Sequence, residues 1–221
     1  MGEGADITWK DGGVPVSARF DDPYFSLQDG LAETVHVFLD GNDLAVRLGP
    51  GFQLAELGFG TGLSFLATQQ LMADRAIPGP VRFTSFEAFP MRAADMSRAL
   101  AAFPTLAPLA ADLTERWTGP GAYDFGDMAL EVIAGDARRT LPRWAGGADA
   151  WFLDGFAPVR NPELWEPALL AEVARHTSPG GTFATYTAAG HVRRALSEAG
   201  FEVTRAPGYG RKRHMTRGRL R

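Results

Sequence analysis

Apolar and amphipathic segments alternate along most of this chain, and that alternation predicts a parallel α/β sheet with helices on both faces. Helical patterns with apolar residues at intervals of three or four separate short apolar or β-branched runs. Pro-Gly breaks such as Pro78-Gly79-Pro80 punctuate the series. The strand-like runs are residues 52–55, 81–86, 129–134, 148–153, 180–186, 201–205 and one through 214–216. They predict a mostly parallel sheet of seven strands.

The residues before this series are organised differently. Two strand-like runs, 7–10 and 14–17, flank Asp11-Gly12-Gly13, which is typical turn chemistry for a β-hairpin. An apolar pattern over 31–39 predicts a helix, and 44–48 predicts a second, short one. We therefore predict an N-terminal extension, residues 1–48, packed on a single compact domain, residues 49–221.

Composition narrows the class of protein. A chain of 221 residues with 45% hydrophobic and 22% charged residues is typical of a soluble globular domain. Without cysteine it can form neither disulfides nor thiolate metal sites, and its four histidines lack metal-ligand spacing, so we expect no metal. No apolar run approaches the ~18 residues of a membrane span, and residues 1–6 lack a signal-peptide core. We expect a cytoplasmic protein without a membrane partner.

Charge is spread unevenly along the chain. The net charge is −4, yet residues 203–221 contain seven Lys or Arg and no Asp or Glu. A basic segment on an acidic protein indicates a local anionic partner. The alternative is a solvated, partly frayed tail, above all over residues 217–221.

The glycine-rich stretch 56–66 lies between the first strand and the first helix of the series. Gly58, Gly60 and Gly62 allow the backbone to turn sharply and to approach a ligand closely. Their G-x-G-x-G spacing differs from the G-x-G-x-x-G of dinucleotide sites, and the preceding Glu56 would repel a pyrophosphate. Glu56 suits a cationic ligand such as S-adenosylmethionine. The alternative is a tight turn that binds nothing.

Three later acidic residues also follow strands. Glu87, Asp136 and Asp154 each stand where a predicted strand ends, and ligands of open α/β sheets bind at that edge. Glu87 is placed to bind ribose hydroxyls; otherwise it is an ordinary charge before a helix. Asp136 can accept from the adenine amine or cap the helix that follows. Asp154 opens the distinctive segment Asp154-Gly155-Phe156-Ala157-Pro158.

With these motifs in view, the chain resembles the tRNA 5-methylaminomethyl-2-thiouridine methyltransferase family over nearly its whole length. The resemblance is carried by residues 20–26, 33–34, 37–42, 56–66, 86–90, 151–158, 161–162, 164–165 and 208–213. Three positions depart from the family pattern as we expect it: Ser64 in place of Asn, Val159-Arg160 in place of Ala-Lys, and His214 in place of Glu.

The resemblance implies a Rossmann-like class I methyltransferase that transfers a methyl group from S-adenosylmethionine to the 5-aminomethyl nitrogen of wobble uridine in tRNA. It gives Asp154, beside the transferable methyl, the positioning of the amine and the acceptance of its proton, assisted by Gly155 and Phe156. Phe156 and Tyr24 could stack on uracil, although Tyr24 could equally be a core aromatic. In the bifunctional members a flavin-dependent oxidase follows, but no flavin is implied here.

The basic segment completes this expectation. Arg211, Lys212 and Arg213 would bind phosphates of the anticodon loop, or else pair with acidic side chains and hold the last strand. Two other functions stay open: a methyltransferase acting on a small-molecule amine, and a non-catalytic nucleotide-binding module.

Overall fold

A computed structural model describes residues 4–10, 13–26 and 28–221. Its central feature is one eight-stranded sheet in the order β10-β11-β9-β8-β4-β5-β7-β6. The strands of this sheet are β4 (Gln53–Leu57), β5 (Val81–Glu87), β6 (Ala122–Asp124), β7 (Met128–Ala134), β8 (Ala148–Leu153), β9 (Thr177–Thr185), β10 (Phe201–Pro207) and β11 (His214–Leu220). The predicted α/β fold is confirmed.

The middle five strands of the sheet are parallel, and its two margins are antiparallel. Parallel pairing joins β9, β8, β4, β5 and β7, whereas β11 runs antiparallel to β9 and to β10. The short strand β6 pairs antiparallel with β7. The sheet therefore has eight strands where seven were predicted. The eighth, β6, has only three residues, which is too few for a recognisable strand pattern.

Helices cover both faces because successive strand residues alternate between two cores. Phe152 of β8 belongs to one hydrophobic cluster and its neighbour Trp151 to the other. The helices are α1 (Gly30–Thr34), α2 (Leu44–Arg47), α3 (Leu63–Arg75), α4 (Ala93–Leu100), α5 (Ala107–Arg116), α6 (Ala137–Thr140), α7 (Pro167–Arg175) and α8 (Gly190–Glu198). The first cluster takes buried side chains from α3, α4 and α5, and the second from α6, α7 and α8.

Among the described residues, four short helical segments are of other types. A π-helix, Val35–Asp40, continues directly from α1, and 3-10 helices span Pro104–Leu106, Leu141–Arg143 and Pro162–Trp165. The apolar pattern of residues 164–176 predicts one helix, but the structure has a 3-10 turn up to Trp165 and the helix begins only at Pro167. No helix among the described residues is long and apolar enough to cross a membrane.

The N-terminal part forms a small antiparallel sheet of β1 (Ile7–Lys10), β2 (Val14–Ser17) and β3 (Asp22–Pro23). The predicted hairpin pairing is confirmed, with Lys10 opposite Val14; its turn residues Asp11 and Gly12 lie outside the described residues. Further on, the buried residues Val37, Phe38, Leu39 and Leu44 share the first hydrophobic cluster with α3. The domain boundary at residue 48 stays a prediction.

Candidate active site

The carboxyl ends of the parallel strands open into a cavity of about 820 Å³. Its wall combines the loops after β4, β5, β7 and β8 with β3 and α1 of the N-terminal part. This is the edge at which open α/β sheets bind ligands. The volume is in the range of small-molecule sites.

The glycine turn after β4 is packed against the neighbouring strand ends. Gly58 has a φ of 93°, and its N–H donates to the carbonyl of Phe86 at 2.9 Å. A Cβ on Gly58 would lie 2.4 Å from the backbone oxygen of Asp154, so no side chain fits there. Gly60, with a φ of 54°, lines the cavity. Gly62 caps α3 and does not line the cavity, because it packs towards Leu113.

Glu87, at the end of β5, fixes this turn from the side. Its two carboxylate oxygens accept the N–H groups of Gly60, at 2.9 Å, and Phe89, at 2.7 Å. Burial raises the pKa of Glu87, and these backbone donors oppose that rise. The carboxylate also lines the cavity, with lone pairs left for ligand hydroxyls. Its role as the ribose-binding residue stays a prediction.

Glu56 takes a different place from the one that the sequence suggested. Its side chain is 1% exposed, accepts the Ser85 hydroxyl at 2.8 Å, and does not line the cavity. Burial, followed by the charge of Asp154, raises the pKa of Glu56 well above its usual range. A buried carboxyl that faces Ser85 of β5 and lies outside the cavity wall makes no contact with a ligand in the cavity. A direct contact between Glu56 and the ligand therefore has no support in this geometry.

Asp136 does form the helix cap that was one of its two predicted roles. Its Oδ1 accepts the N–H of Arg138 at 2.9 Å, and an ion pair with the Arg138 side chain, at 2.6 Å, lowers the pKa of Asp136. Because the residue also lines the cavity, the contact with adenine stays a prediction.

The segment Asp154–Pro158, which follows β8, is held by side chains from two other parts of the fold. The Tyr186 hydroxyl donates to the carbonyl of Gly155 at 2.6 Å, and the Trp165 indole donates to the carbonyl of Phe156 at 2.9 Å. Sequence reasoning missed both holding contacts, although residue 165 lies in a block that carries the family resemblance.

The N-terminal part supplies a third fastening for the same loop. A carboxylate oxygen of Asp22, in β3, accepts the N–H of Ala157 at 2.8 Å. A Cβ on Gly155 would lie 2.0 Å from Leu164, so the loop is also packed tightly beneath. These contacts fix the position from which Asp154 faces the cavity.

Aromatic side chains form the cavity wall beside this loop. Phe20 stacks on Phe156 with ring centroids 4.9 Å apart, and Tyr24 meets Phe156 edge-on at 5.0 Å. Tyr24 also lies against the glycine turn, since a Cβ on Gly60 would be 3.2 Å from its ring. Both Tyr24 and Phe156 line the cavity, and stacking on a base stays a prediction for each.

Asp154 sits in an unusual electrostatic environment. Burial raises the pKa of its carboxyl to about 7, and the charge of Glu33 adds to the rise. The nearby ammonium of Lys212 and a hydrogen bond from Ser64 act in the opposite direction. An acid that titrates near neutrality can accept and release protons at the pH of the cell.

The three basic residues of 211–213 do not share one environment. Lys212 lines the cavity, where its Nζ lies 2.6 Å from Oε1 of Glu33. Arg211 and Arg213 are exposed, do not line the cavity, and have no ion-pair partner within the described part of the chain. The frayed-tail alternative is wrong for residues 217–220, because they belong to β11, where Arg217 also contacts Asp43 at 3.5 Å.

The described residues contain no cluster of three His, Asp or Glu side chains that could hold a metal ion. The sheet, the glycine turn and the acidic strand ends around the cavity are the arrangement of the α/β proteins that bind a small organic ligand at the carboxyl edge of the sheet. A family model described as S-adenosyl-L-methionine-dependent methyltransferase matches residues 104–221. The chain belongs to this family.

Curated relatives narrow the likeness further. The chain is 49% identical, over 97% of its length, to the tRNA 5-methylaminomethyl-2-thiouridine biosynthesis bifunctional protein MnmC of Pseudomonas paraeruginosa. It is 45% identical to the protein of the same name in Chromobacterium violaceum, again over 97% of its length. It spans only 35% and 34% of these two relatives, about a third of their length.

Solved structures agree on the architecture. The crystal structure of MNMC2 from Aquifex aeolicus matches 99% of this chain and 71% of its own, with 25% identity and a TM-score of 0.78. Spermidine synthase from Thermotoga maritima, at 9% identity and a TM-score of 0.56, covers 97% of this chain and 71% of its own, and shares the fold.

The cavity fits the family's cofactor on structural grounds. Gly58 and Gly60 bring backbone to the cavity wall, and the Glu87 carboxylate offers the acceptor oxygens that ribose hydroxyls require. Gly58, Gly60 and Glu87 would hold the adenosyl end, and Asp154, which lines the same cavity, would lie beside the transferable methyl group.

Proposed function

We propose that this protein methylates the 5-aminomethyl nitrogen of wobble uridine, often 2-thiolated, in tRNA. The observation that carries the proposal is Asp154, fastened by Asp22 and Tyr186 through its loop, at the cavity edge next to the glycine turn. The names of the curated relatives support tRNA as the substrate. On this reading the protein acts in the cytoplasm.

The chemistry asks little of the protein beyond alignment and proton removal. S-adenosylmethionine supplies a methyl group on cationic sulfur, so the amine lone pair forms the new C–N bond as the C–S bond breaks and its electrons return to sulfur. Alignment of two reactants in a site can contribute roughly 7 to 11 kcal/mol. Asp154 takes the proton that leaves the substrate ammonium, and its pKa near 7 suits that task.

The aromatic residues of the cavity wall support an unpaired base as the acceptor. A uridine in an anticodon loop is already unpaired, so little free energy is needed to unstack it and bring it into a pocket. Phe156 and Tyr24 offer aromatic surface for it in the cavity wall. The alternative substrate is a small-molecule amine. The exposed Arg211 and Arg213 favour tRNA, because a small amine needs no phosphate-binding surface.

The test is incorporation of tritiated methyl groups into tRNA from a strain that lacks this gene, followed by nucleoside analysis. We expect label in 5-methylaminomethyl uridine derivatives, and none with tRNA from the parent strain or with the Asp154→Asn variant. Label that appears only in small amines would contradict the proposal.

A further inference from the structure

Lys212 differs from Arg211 and Arg213 in the place of its charged group, which lies at the cavity. Its ammonium lies 2.6 Å from the Glu33 carboxylate and 4.4 Å from the ring centroid of Tyr186. A lysine placed to grip a distant phosphate would extend into solvent. The side chain of Lys212 is still 46% exposed, but these two contacts hold its ammonium at the cavity wall, beside the loop that Tyr186 fastens.

The charges that act on Asp154 come from several elements. Lys212, from the β10–β11 connection, lowers its pKa, whereas Glu33, from α1, raises it. Among the described residues, Glu56 from β4 and Tyr186 after β9 also interact with the charge of Asp154. Glu87 from β5 acts in turn on Glu56, and Asp22 from β3 acts on Tyr186. Lys212 is the cation in this set. It is paired with Glu33, the carboxylate whose charge raises the pKa of Asp154.

An acceptor amine in such a pocket faces two opposed demands. A primary alkylamine is mostly protonated at neutral pH, and only its neutral form has a lone pair for methyl transfer. Two unpaired carboxylates would hold the ammonium form and raise its pKa. A fixed cation that neutralises one of them has the opposite effect, as a nearby cationic group does for activated lysines.

We propose that Lys212, paired with Glu33, is a positioning residue that sets the charge of the acceptor pocket so that the incoming ammonium gives its proton to Asp154. In that step an N–H bond breaks, its electron pair stays on nitrogen, and a new O–H bond forms on the Asp154 carboxylate. Asp154 later returns the proton to water. This inference rests on the proposed function, amine methylation.

The experiment is the pH dependence of single-turnover methyl transfer to saturating tRNA. In Lys212→Met the midpoint of the acid limb should rise by about one pH unit or more. The Lys212 ammonium lowers the pKa of both the substrate amine and Asp154, so its removal raises both pKa values. Lys212→Arg should keep the wild-type midpoint. Glu33→Gln should move the midpoint to lower pH, and the double variant Lys212→Met with Glu33→Gln should return it towards the wild-type value.

A second readout does not depend on turnover. In protein labelled with ¹³C at aspartate carboxyls, without tRNA or cofactor, the Asp154 resonance is identified by its loss in Asp154→Asn. Its titration midpoint should rise in Lys212→Met and fall in Glu33→Gln.

Three results would overturn the inference. An unmoved midpoint with a weaker salt dependence of tRNA binding in Lys212→Met would make Lys212 a phosphate contact. An equal loss of rate at every pH, with a lower melting temperature, would make it structural. An Asp154 titration that ignores Lys212 would remove the electrostatic link. If the wild-type protein methylated no tRNA, the proposed function would fail instead, while the NMR titrations would still decide whether Lys212 controls Asp154.

Discussion

The carboxyl of Asp154 has a stability consequence of its own. Its folded-state pKa of about 7 lies above the ordinary 3.8, so its contribution to stability is complete below about pH 4 and is lost as the pH rises through 7. Asp154→Asn should therefore raise the free energy of unfolding at pH 8 by about 2 to 4 kcal/mol. It should abolish methyl transfer while S-adenosylmethionine still binds.

Urea unfolding at pH 4, 6 and 8 measures this directly. The difference between wild type and Asp154→Asn should vanish at pH 4 and grow with pH. Equal stability at pH 8 would show that the carboxyl is not destabilised in the folded state.

Glu87 supports a second prediction at this scale. Glu87→Ala removes the acceptor of two backbone N–H groups and the predicted ribose contacts. Each charge-assisted hydrogen bond contributes roughly 1.5 to 3 kcal/mol, so affinity for S-adenosylmethionine should fall at least about tenfold. Calorimetry with Asp74→Ala, an exposed acidic residue of α3, as the control should detect the loss only in Glu87→Ala. Unchanged binding would remove Glu87 from the cofactor site.

At the scale of elements, the contact between β3 and the loop after β8 can be tested with neighbouring residues. Asp22→Ala deletes the acceptor of the Ala157 N–H, and a shift of a catalytic loop by even about 1 Å can cost about 100-fold in rate. We expect kcat to fall at least about tenfold while the affinity for S-adenosylmethionine changes little. Asp22→Asn, which keeps a carbonyl acceptor, should retain more activity.

Asp21→Ala is the matched control. Asp21 pairs with Arg160 at 3.0 Å, but its side chain is 75% exposed, and such pairs contribute little. If Asp21→Ala and Asp22→Ala lost activity equally, the fastening of the loop by the Asp22 carboxylate would not explain the effect.

The strands and helices of the main sheet could be predicted from the sequence where the apolar pattern is long. Apolar and β-branched runs located every parallel strand, because β4, β5 and β8 are buried along most of their length and β7 is buried at every second residue up to Val132. The pattern missed β6, which has three residues, and it began α7 early, because a 3-10 turn at 162–165 shares the apolar spacing of a helix. Residues 217–220 looked like a tail because their alternation is polar, yet pairing with β9 and β10 makes them a strand.

The residues of the candidate site also fall into those that a local sequence pattern indicates and those that depend on distant contacts. Glu87, Asp136 and Asp154 could be found from sequence, because a residue that ends a parallel strand must face the carboxyl edge. Asp22 and Glu33 could not, since their partners lie 135 and 179 residues away and no local pattern carries such pairings. The burial of Glu56 also depended on a neighbouring strand.

At the scale of the whole molecule, the exposed Arg211 and Arg213 predict a salt-dependent interaction with tRNA. Binding to single-stranded nucleic acid weakens by about 0.7 log units per log unit of salt for each phosphate contact. The double variant Arg211→Ala with Arg213→Ala should therefore flatten the salt dependence of the tRNA KM by roughly 0.7 to 1.4. S-adenosylmethionine binding should barely change with salt.

The control removes the same charge elsewhere. Arg75, at the end of α3, and Arg82, at the start of β5, are exposed at the opposite edge of the sheet. Arg75→Ala with Arg82→Ala should keep the wild-type slope. If Arg211→Ala with Arg213→Ala melted several degrees lower but kept that slope, these arginines would be structural and tRNA would bind elsewhere.

The ion pair between Glu33 and Lys212, which are 179 residues apart, has a consequence for the protein during its synthesis. Contacts between such distant positions are slow to form, and synthesis delivers the earlier partner first. While the ribosome is still adding residues, a nascent chain already carries the glycine turn and all three acidic strand ends. Its Glu33 carboxylate still lacks the Lys212 ammonium, so on the role proposed for Lys212 we expect a fully reactive pocket only in a chain that has grown past residue 212.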